Sequence, residues 1–465
     1  MELSLYDTQS RSEKIVSSRN DGVITIYCCG PTVYRDAHIG NLRTFLLTDL
    51  VVRTLHALGK KMIVVQNITD VGHMTDDFEE DKLLAQGKTE SRSALDVARD
   101  YEARFHQDLA LLNIKPADHY PRASESIDLM FAHIHQLIEL GYAYVGTDKT
   151  VYFSAKSFPT YGAISGNTLE NLKPGHRYDY VDDGAKKFHA DWALWKSSPL
   201  RSEMVWNSPW GTGFPGWHIE CSAMSLKYLQ GHIDLHIGGI DLRFPHHENE
   251  RAQSNPLVNG EAVSQWLHGE HLLFEGRKMS KSAGNVVLVS HLIDKGLDPL
   301  ALRFCFLEYR YRSQMDLSWE SITAAHQTLA KWRLLATSTQ PTTPDSILAL
   351  NEGVREIVNE IVSSFCDDLD TPRAMQILRS SLKSSLTDNL KSALLHSVEP
   401  LFGLGLTRKV ETKNPSPEIL QLLEQRTVAR AEKDFSLSDT LRKKLDELGV
   451  AIHDGPDGQR WEWKI

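Results

Sequence analysis

The sequence predicts an α/β protein with a parallel sheet near its start, an insertion inside that sheet, helices behind it and a small unit at the end. Three observations carry this. Residues 23–29 form an apolar, β-branched run, which is how a strand covered on both faces reads. Residues 41–58 place Leu46, Leu50 and Leu58 at helical spacing, and 62–65 is a second apolar run. Strand, helix and strand make a β-α-β unit, so a right-handed crossover and a parallel sheet follow. From Pro299 onward the pattern is mostly helical.

Each element has its punctuation. Gly30-Pro31-Thr32 stops the first strand, and Gly59 sits where a C-cap glycine belongs. Residues 92–141 read as two helices split near Lys115-Pro116. Residues 142–215, rich in Gly, Pro and Trp, read as an irregular inserted subdomain. Helical spacing returns over 217–229. A short strand at 233–237 ends in the Gly238-Gly239 turn, a helix covers 246–253, and 267–274 reads as one further strand. Two prolines mark 338–345 as a loop, and 412–417 is a linker. The last 48 residues, 418–465, form a unit that opens with an amphipathic helix. Ligands of such sheets bind beyond the carboxyl ends of the strands. Cys29, His38 and Thr69 fall there.

Composition narrows the class. The chain has 465 residues, 41% hydrophobic and 24% charged, the balance of a globular protein of two to four domains. No run of about 18 apolar residues occurs, so no membrane span is predicted. The polar first residues lack a signal-peptide pattern, and five sparse cysteines do not make a disulfide framework. A cytoplasmic protein with free thiols is expected. The net charge of −10 argues mildly against a nucleic-acid partner, although a local basic surface can coexist with an acidic total.

Two strings carry chemistry. In His38-Ile39-Gly40-Asn41 the histidine stands at a loop-to-helix junction. Gly40 lets backbone approach a ligand closely, the helix N-terminus favours phosphate, and His38 can donate to a phosphate oxygen as its charge grows. In Lys278-Met279-Ser280-Lys281-Ser282 two lysines three apart lie between Gly276 and Gly284. A loop of that kind can close over a triphosphate and supply charge to leaving pyrophosphate. Alone, the first string is a surface histidine and the second a solvated basic loop; together they support each other. A third constellation suits a metal. His246 and Glu250 share a helical face at i and i+4, and Cys221 completes a set acceptable to zinc. Cys28 or Cys29 would be the fourth ligand. Adjacent strand residues face opposite ways, so only one can serve, and spacing does not say which.

These strings resemble the paired signatures of class I aminoacyl-tRNA synthetases, and their surroundings resemble the cysteinyl-tRNA synthetase family. The resemblance rests on Cys29-Gly30-Pro31-Thr32-Val33-Tyr34, on residues 215–224, on Phe244-Pro245-His246-His247-Glu248-Asn249-Glu250, on the lysine loop 276–285 and on Asp454-Gly455-Pro456-Asp457-Gly458. It implies a Rossmann-type parallel-sheet catalytic domain with a helical insertion, then an α-helical bundle and a small anticodon-binding domain. The implied divisions are 1–115 and 215–256 for the two halves of the catalytic domain and 116–214 for the inserted connective region. A stem-contact region with the lysine loop at 257–325, a bundle at 326–411 and the anticodon unit at 418–465 follow.

The resemblance implies activation of L-cysteine with ATP and Mg2+, and transfer to the 3′ end of tRNA-Cys. It implies one Zn2+ per subunit on Cys29, Cys221, His246 and Glu250, selecting the substrate thiol. His38, Asn41, Lys278 and Lys281 are the implied catalytic residues. Gly40, His38, Asp241 and Lys281 are implied at ATP, and Thr69, Trp217 and His218 at cysteine. The sequence departs from the family's pattern at 72–80, an acidic insertion to which no role is assigned. A synthetase-derived ligase joining cysteine to an amino sugar would share adenylation and zinc but would need no anticodon domain. That unit carries Arg426, Arg430, Lys433, Arg442, Lys443, Lys444, Trp461 and Trp463, which suit backbone contact and base stacking. A monomer is expected.

Overall fold

The structure, a computed structural model, describes residues 1–19, 22–71, 82–172, 185–198, 201, 203–279, 284–337, 351–408, 416–455 and 458–463. Its centre is a parallel sheet of four strands in the order Val263–Gly269, Ile233–Gly239, Val23–Cys28 and Lys61–Gln66. The Ile39–Ala57 helix connects the last two, as the sequence predicts. It ends in Gly59 at φ 68°, whose N–H and that of Lys60 bond back to His56 and Leu55.

Strand alternation divides the interior into two layers. Ile24, Ile26 and Cys28 point into the main core with Leu42, Leu46 and Leu50 of the Ile39–Ala57 helix. Tyr27 and Cys29 point the other way, into a smaller core with Cys221, Leu229, Ile233 and Trp266. Side chains one residue apart on a strand leave by opposite faces, which is why Cys28 and Cys29 have unrelated surroundings.

Two expectations are corrected. The described residues of 142–215 are not irregular: they hold a five-stranded antiparallel sheet in the order Ala143–Val145, Val151–Phe153, Trp192–Ser197, Gly211–Pro215, Trp206–Ser208. Three-residue strands are too short to show a period of two, and Val151 pairs with the distant Trp195. The helices before that sheet, Ala94–Leu111 and Ile127–Glu139, lie where predicted. Residues 267–274 are not one strand. Val263–Gly269 ends in the central sheet, and Leu272–Phe274 starts a separate one with Arg277–Lys278 and Met315–Leu317.

Helices Leu300–Leu307, Trp319–Thr337, Glu352–Cys366, Thr371–Lys383 and Asp388–Phe402 follow. The expected loop at 338–345 lies outside the described residues, as does most of the linker at 412–417. The end of the chain has its own core of Ile419, Leu423, Leu445, Val450 and Ile452. Arg426 is internal to it, 1% exposed and bonded to Asp454 and Gln459, so it is not a surface cation. No helix among the described residues is long and apolar enough to cross a membrane.

Candidate active site at the carboxyl edge of the sheet

The strand order places a switch point between Val23–Cys28 and Ile233–Gly239. The chain leaves the first towards Lys61–Gln66 and the second towards Val263–Gly269. The connections part there and open a crevice beyond the strand ends. Gly30 crosses it against Asn67: a Cβ on Gly30 would meet the Asn67 carbonyl oxygen at 1.5 Å. Thr69 is buried beside this crossing. Its N–H donates to Pro31, its carbonyl accepts from Val33, and its hydroxyl accepts from Asn67 Nδ2 at 3.1 Å.

His38 is the N-cap of the Ile39–Ala57 helix. Its Nδ1 accepts from the Asn41 N–H at 3.2 Å, and Asn41 Oδ1 accepts from the His38 N–H at 3.3 Å. Burial, helped by the Arg35 charge and opposed by Asp241, brings the imidazole down to about 4. It is therefore neutral at pH 7, and with Nδ1 accepting, the ring proton lies on Nε2. Asp241 follows the Ile233–Gly239 strand and is exposed. A Cβ on Gly40 would stand 3.0 Å from the His38 ring and 3.0 Å from Met279 Cε. The start of the lysine loop thus rests on the helix's first turn. Lys278 is exposed on its short strand, and its carbonyl accepts from Asn285 Nδ2 at 3.0 Å. Lys281 lies outside the described residues.

Below this edge Cys29, Cys221, His246 and Glu250 converge, with one ligand atom of each within 4.8 Å of the others, all buried. Cys221 comes from the Trp217–Tyr228 helix; His246 and Glu250 come from His246–Val258. His246 Nε2 is 2.9 Å from Glu250 Oε1, and its Nδ1 is 2.8 Å from His218 Nδ1. Trp217 stacks on the His246 ring at 4.3 Å. Burial would push the Cys221 thiol up, but a hydrogen bond from Cys29 and the neighbouring His246 outweigh it and bring Cys221 down to about 7. Burial raises Cys29 and Glu250 well above their ordinary values. Glu250 Oε2 is buried with no hydrogen-bond partner among the described residues. Two sulfurs, an imidazole nitrogen and a carboxylate oxygen are a donor set that tetrahedral zinc accepts, and His218 fixes the His246 ring from behind. The residues fit the metal.

Sequence reasoning missed three neighbours. His236 and His247 also reach Cys29 Sγ, at 3.5 and 3.4 Å, and with Glu250 form a second four-donor grouping. His247 Nδ1 is 2.8 Å from His268 Nε2, and His268 Nδ1 is 2.8 Å from Thr8 Oγ1. Burial keeps His236, His247 and His268 neutral. The available signal was a histidine inside the apolar strand run 233–237, where a polar side chain needs a partner.

The scaffold is that of the class I aminoacyl-tRNA synthetases. A Mycobacterium tuberculosis methionyl-tRNA synthetase bound by methionyl-adenylate shares the fold, with a TM-score of 0.57 and 14% identity over 82% of this chain and 92% of that one. The family described as tRNA synthetases class I (C) catalytic domain matches residues 15–327, and the cysteinyl-tRNA ligase anticodon binding domain matches 414–461. Full-length relatives named cysteine–tRNA ligase include that of Thermus thermophilus, 38% identical over 99% of both chains. That of Treponema denticola is 35% identical over 99% of this chain and all of the relative. The chain belongs to the cysteinyl-tRNA synthetase family.

Proposed function

We propose that this chain joins L-cysteine to tRNA-Cys. The cysteine carboxylate attacks the α-phosphate of ATP, which enters with Mg2+; pyrophosphate leaves and cysteinyl-adenylate forms. A ribose hydroxyl of the terminal adenosine then attacks the cysteinyl carbonyl, and AMP leaves. The observation that carries this reading is the convergence of Cys29, Cys221, His246 and Glu250 beneath a sheet edge that also bears the His38 helix cap.

His38 has one assigned task. Its Nδ1 is committed to Asn41, so its Nε2–H donates to a phosphate oxygen as charge develops there. Asn41 locks that orientation, and Gly40 leaves room for nucleotide. Asp241 contacts the adenosine side. Lys278 and Lys281 neutralise the leaving pyrophosphate. Thr69, Trp217 and His218 line the cysteine pocket.

Zinc, when held by Cys29, Cys221, His246 and Glu250, supplies a place for a thiolate that serine's hydroxyl does not match. Discrimination of this kind can make an editing step unnecessary. The grouping with Cys221 and His246 is preferred because thiolates suit zinc and His246 keeps a buttress in His218. Residues 1–115 and 215–256 form the catalytic halves around the connective region 116–214. Residues 257–325 contact the tRNA stem, 326–411 form the bundle and 418–465 read the anticodon. The protein works as a cytoplasmic monomer.

The test is charging of a tRNA-Cys transcript with labelled cysteine and ATP. ATP-dependent, acid-precipitable label supports the reading. A folded, zinc-loaded protein that leaves the transcript uncharged overturns it.

A further inference from the structure

One turn beyond Gly40, the Ile39–Ala57 helix carries a buried cation. Arg43 is 6% exposed. Its guanidinium donates to backbone carbonyls of two separate segments. Nη1 reaches Glu270 at 2.7 Å and His271 at 2.9 Å. Nη2 reaches Ser313 at 2.7 Å, Arg310 at 3.1 Å and Tyr311 at 3.4 Å.

Those segments are the roots of the lysine hairpin. Residues 270–271 join the central sheet to Leu272–Phe274, and 310–313 run into Met315–Leu317. Leu272–Phe274 pairs in parallel with Met315–Leu317 and antiparallel with Arg277–Lys278. The two segments also bond to each other, Glu270 N–H to Tyr311 and Met315 N–H to His271. At its far end the hairpin meets the same helix again. Met279 packs near Gly40, and the Ile39 N–H donates to the Val287 carbonyl at 3.0 Å. A planar guanidinium with five donors can span two segments in one geometry; an ammonium is a point charge with three.

We propose that Arg43 is a positioning residue for the first step, fixing the hairpin that carries Lys278 at a set distance from the helix cap that holds His38. This rests on the reading of Lys278 and His38 as phosphate-handling groups. Arg43 holds the hairpin at its roots, while the Ile39–Val287 hydrogen bond and the Met279–Gly40 contact hold it at its far end.

The test uses R43K and R43Q in the full chain, loaded with zinc, each compared with the parent by two readouts. Amide exchange should quicken at 270–279 and 310–317 while the central strand 233–239 keeps its protection. Cysteine-dependent ATP–pyrophosphate exchange, normalised to zinc-loaded sites, should lose kcat by roughly tenfold or more, since misplacement by about 1 Å can cost about 100-fold. The KM for cysteine should stay within about twofold, because Cys29, Trp217 and His246 lie outside the Arg43 contacts. Unchanged amide protection at the hairpin in either folded variant overturns the proposal, and so does an unchanged kcat. A parent protein without cysteine-dependent exchange would instead overturn the proposed function, and the amide-exchange comparison would still decide whether Arg43 holds the hairpin.

Discussion

Replacing Asp49 by Asn should weaken the body of the protein more than any single surface change. Asp49 is 2% exposed on the Ile39–Ala57 helix, and Arg303 is fully buried. Asp49 Oδ2 accepts from Arg53 Nε at 2.7 Å and lies 2.6 Å from Arg303 Nη2, while Oδ1 accepts from the Lys115 N–H at 2.9 Å. One carboxylate therefore serves two buried guanidinium groups. The remaining donors go to carbonyls: Arg53 to Pro400 and Asn113, Arg303 to Phe402, Leu112 and Asn113. Gly403, at φ 62°, ends the Asp388–Phe402 helix here, and a Cβ would meet Arg303 Cζ at 2.7 Å and Arg53 Cζ at 2.8 Å.

Asn keeps the shape and one acceptor but leaves two cations buried without their anion. Breaking a buried pair in this way costs about 3–5 kcal/mol. The assay is urea unfolding followed by tryptophan fluorescence, with D49N, R303M and the double variant forming a cycle. The double variant should recover about 2 kcal/mol relative to the sum of the singles, because the second change removes one of the stranded cations. A D49N cost below about 1 kcal/mol, or singles that add within about 0.5 kcal/mol, would refute the reasoning.

Three further outcomes are expected. Gly40→Ala should lower kcat of adenylate formation roughly 10- to 100-fold with little change in thermal midpoint, since the added methyl meets the His38 ring and only the flexible end of the Met279 side chain; wild-type kinetics would count against the close approach. Cys221→Ser should lose bound zinc by elemental analysis and lose cysteine activation with it; full activation without zinc would end the thiol-selection argument. His133, buried and held near 4 by desolvation despite its contact with the Gln253 carbonyl, binds no proton in the folded state between about pH 6.5 and 4, whereas the unfolded chain does. Stability should therefore rise with pH through that window and fall as pH drops from about 6.5 to 4. His133 contributes up to about 3 kcal/mol of that fall. Urea midpoints at pH 6.5 and 4.5 should differ less in His133→Gln, and equal differences would rule the contribution out.

Much of the site could be read without coordinates because its determinants are local. A cap histidine, a following glycine and a helical run are neighbours in the chain, so His38, Gly40 and the Ile39–Ala57 helix were legible from spacing. His246 and Glu250 share a face because a helix repeats every 3.6 residues. The strands at 23–28 and 61–66 announced themselves by the apolar runs at 23–29 and 62–65.

Other decisions depended on residues far apart in the chain. Alternation says that Cys28 and Cys29 diverge, but only the packing of Trp217–Tyr228 and His246–Val258 on one face decides that Cys29 meets Cys221 and Glu250. His236, His247 and His268 join the pocket through three different elements. The sheet within 142–215 depends on pairs such as Val151 with Trp195, and the break in 267–274 follows the pairing of Leu272–Phe274 with Met315–Leu317. Local chemistry, periodicity and motif were therefore determined by the sequence itself. Which faces meet, and which buried charges find a counter-charge or a carbonyl, was decided by tertiary structure, because those energies arise only when distant segments exclude water together.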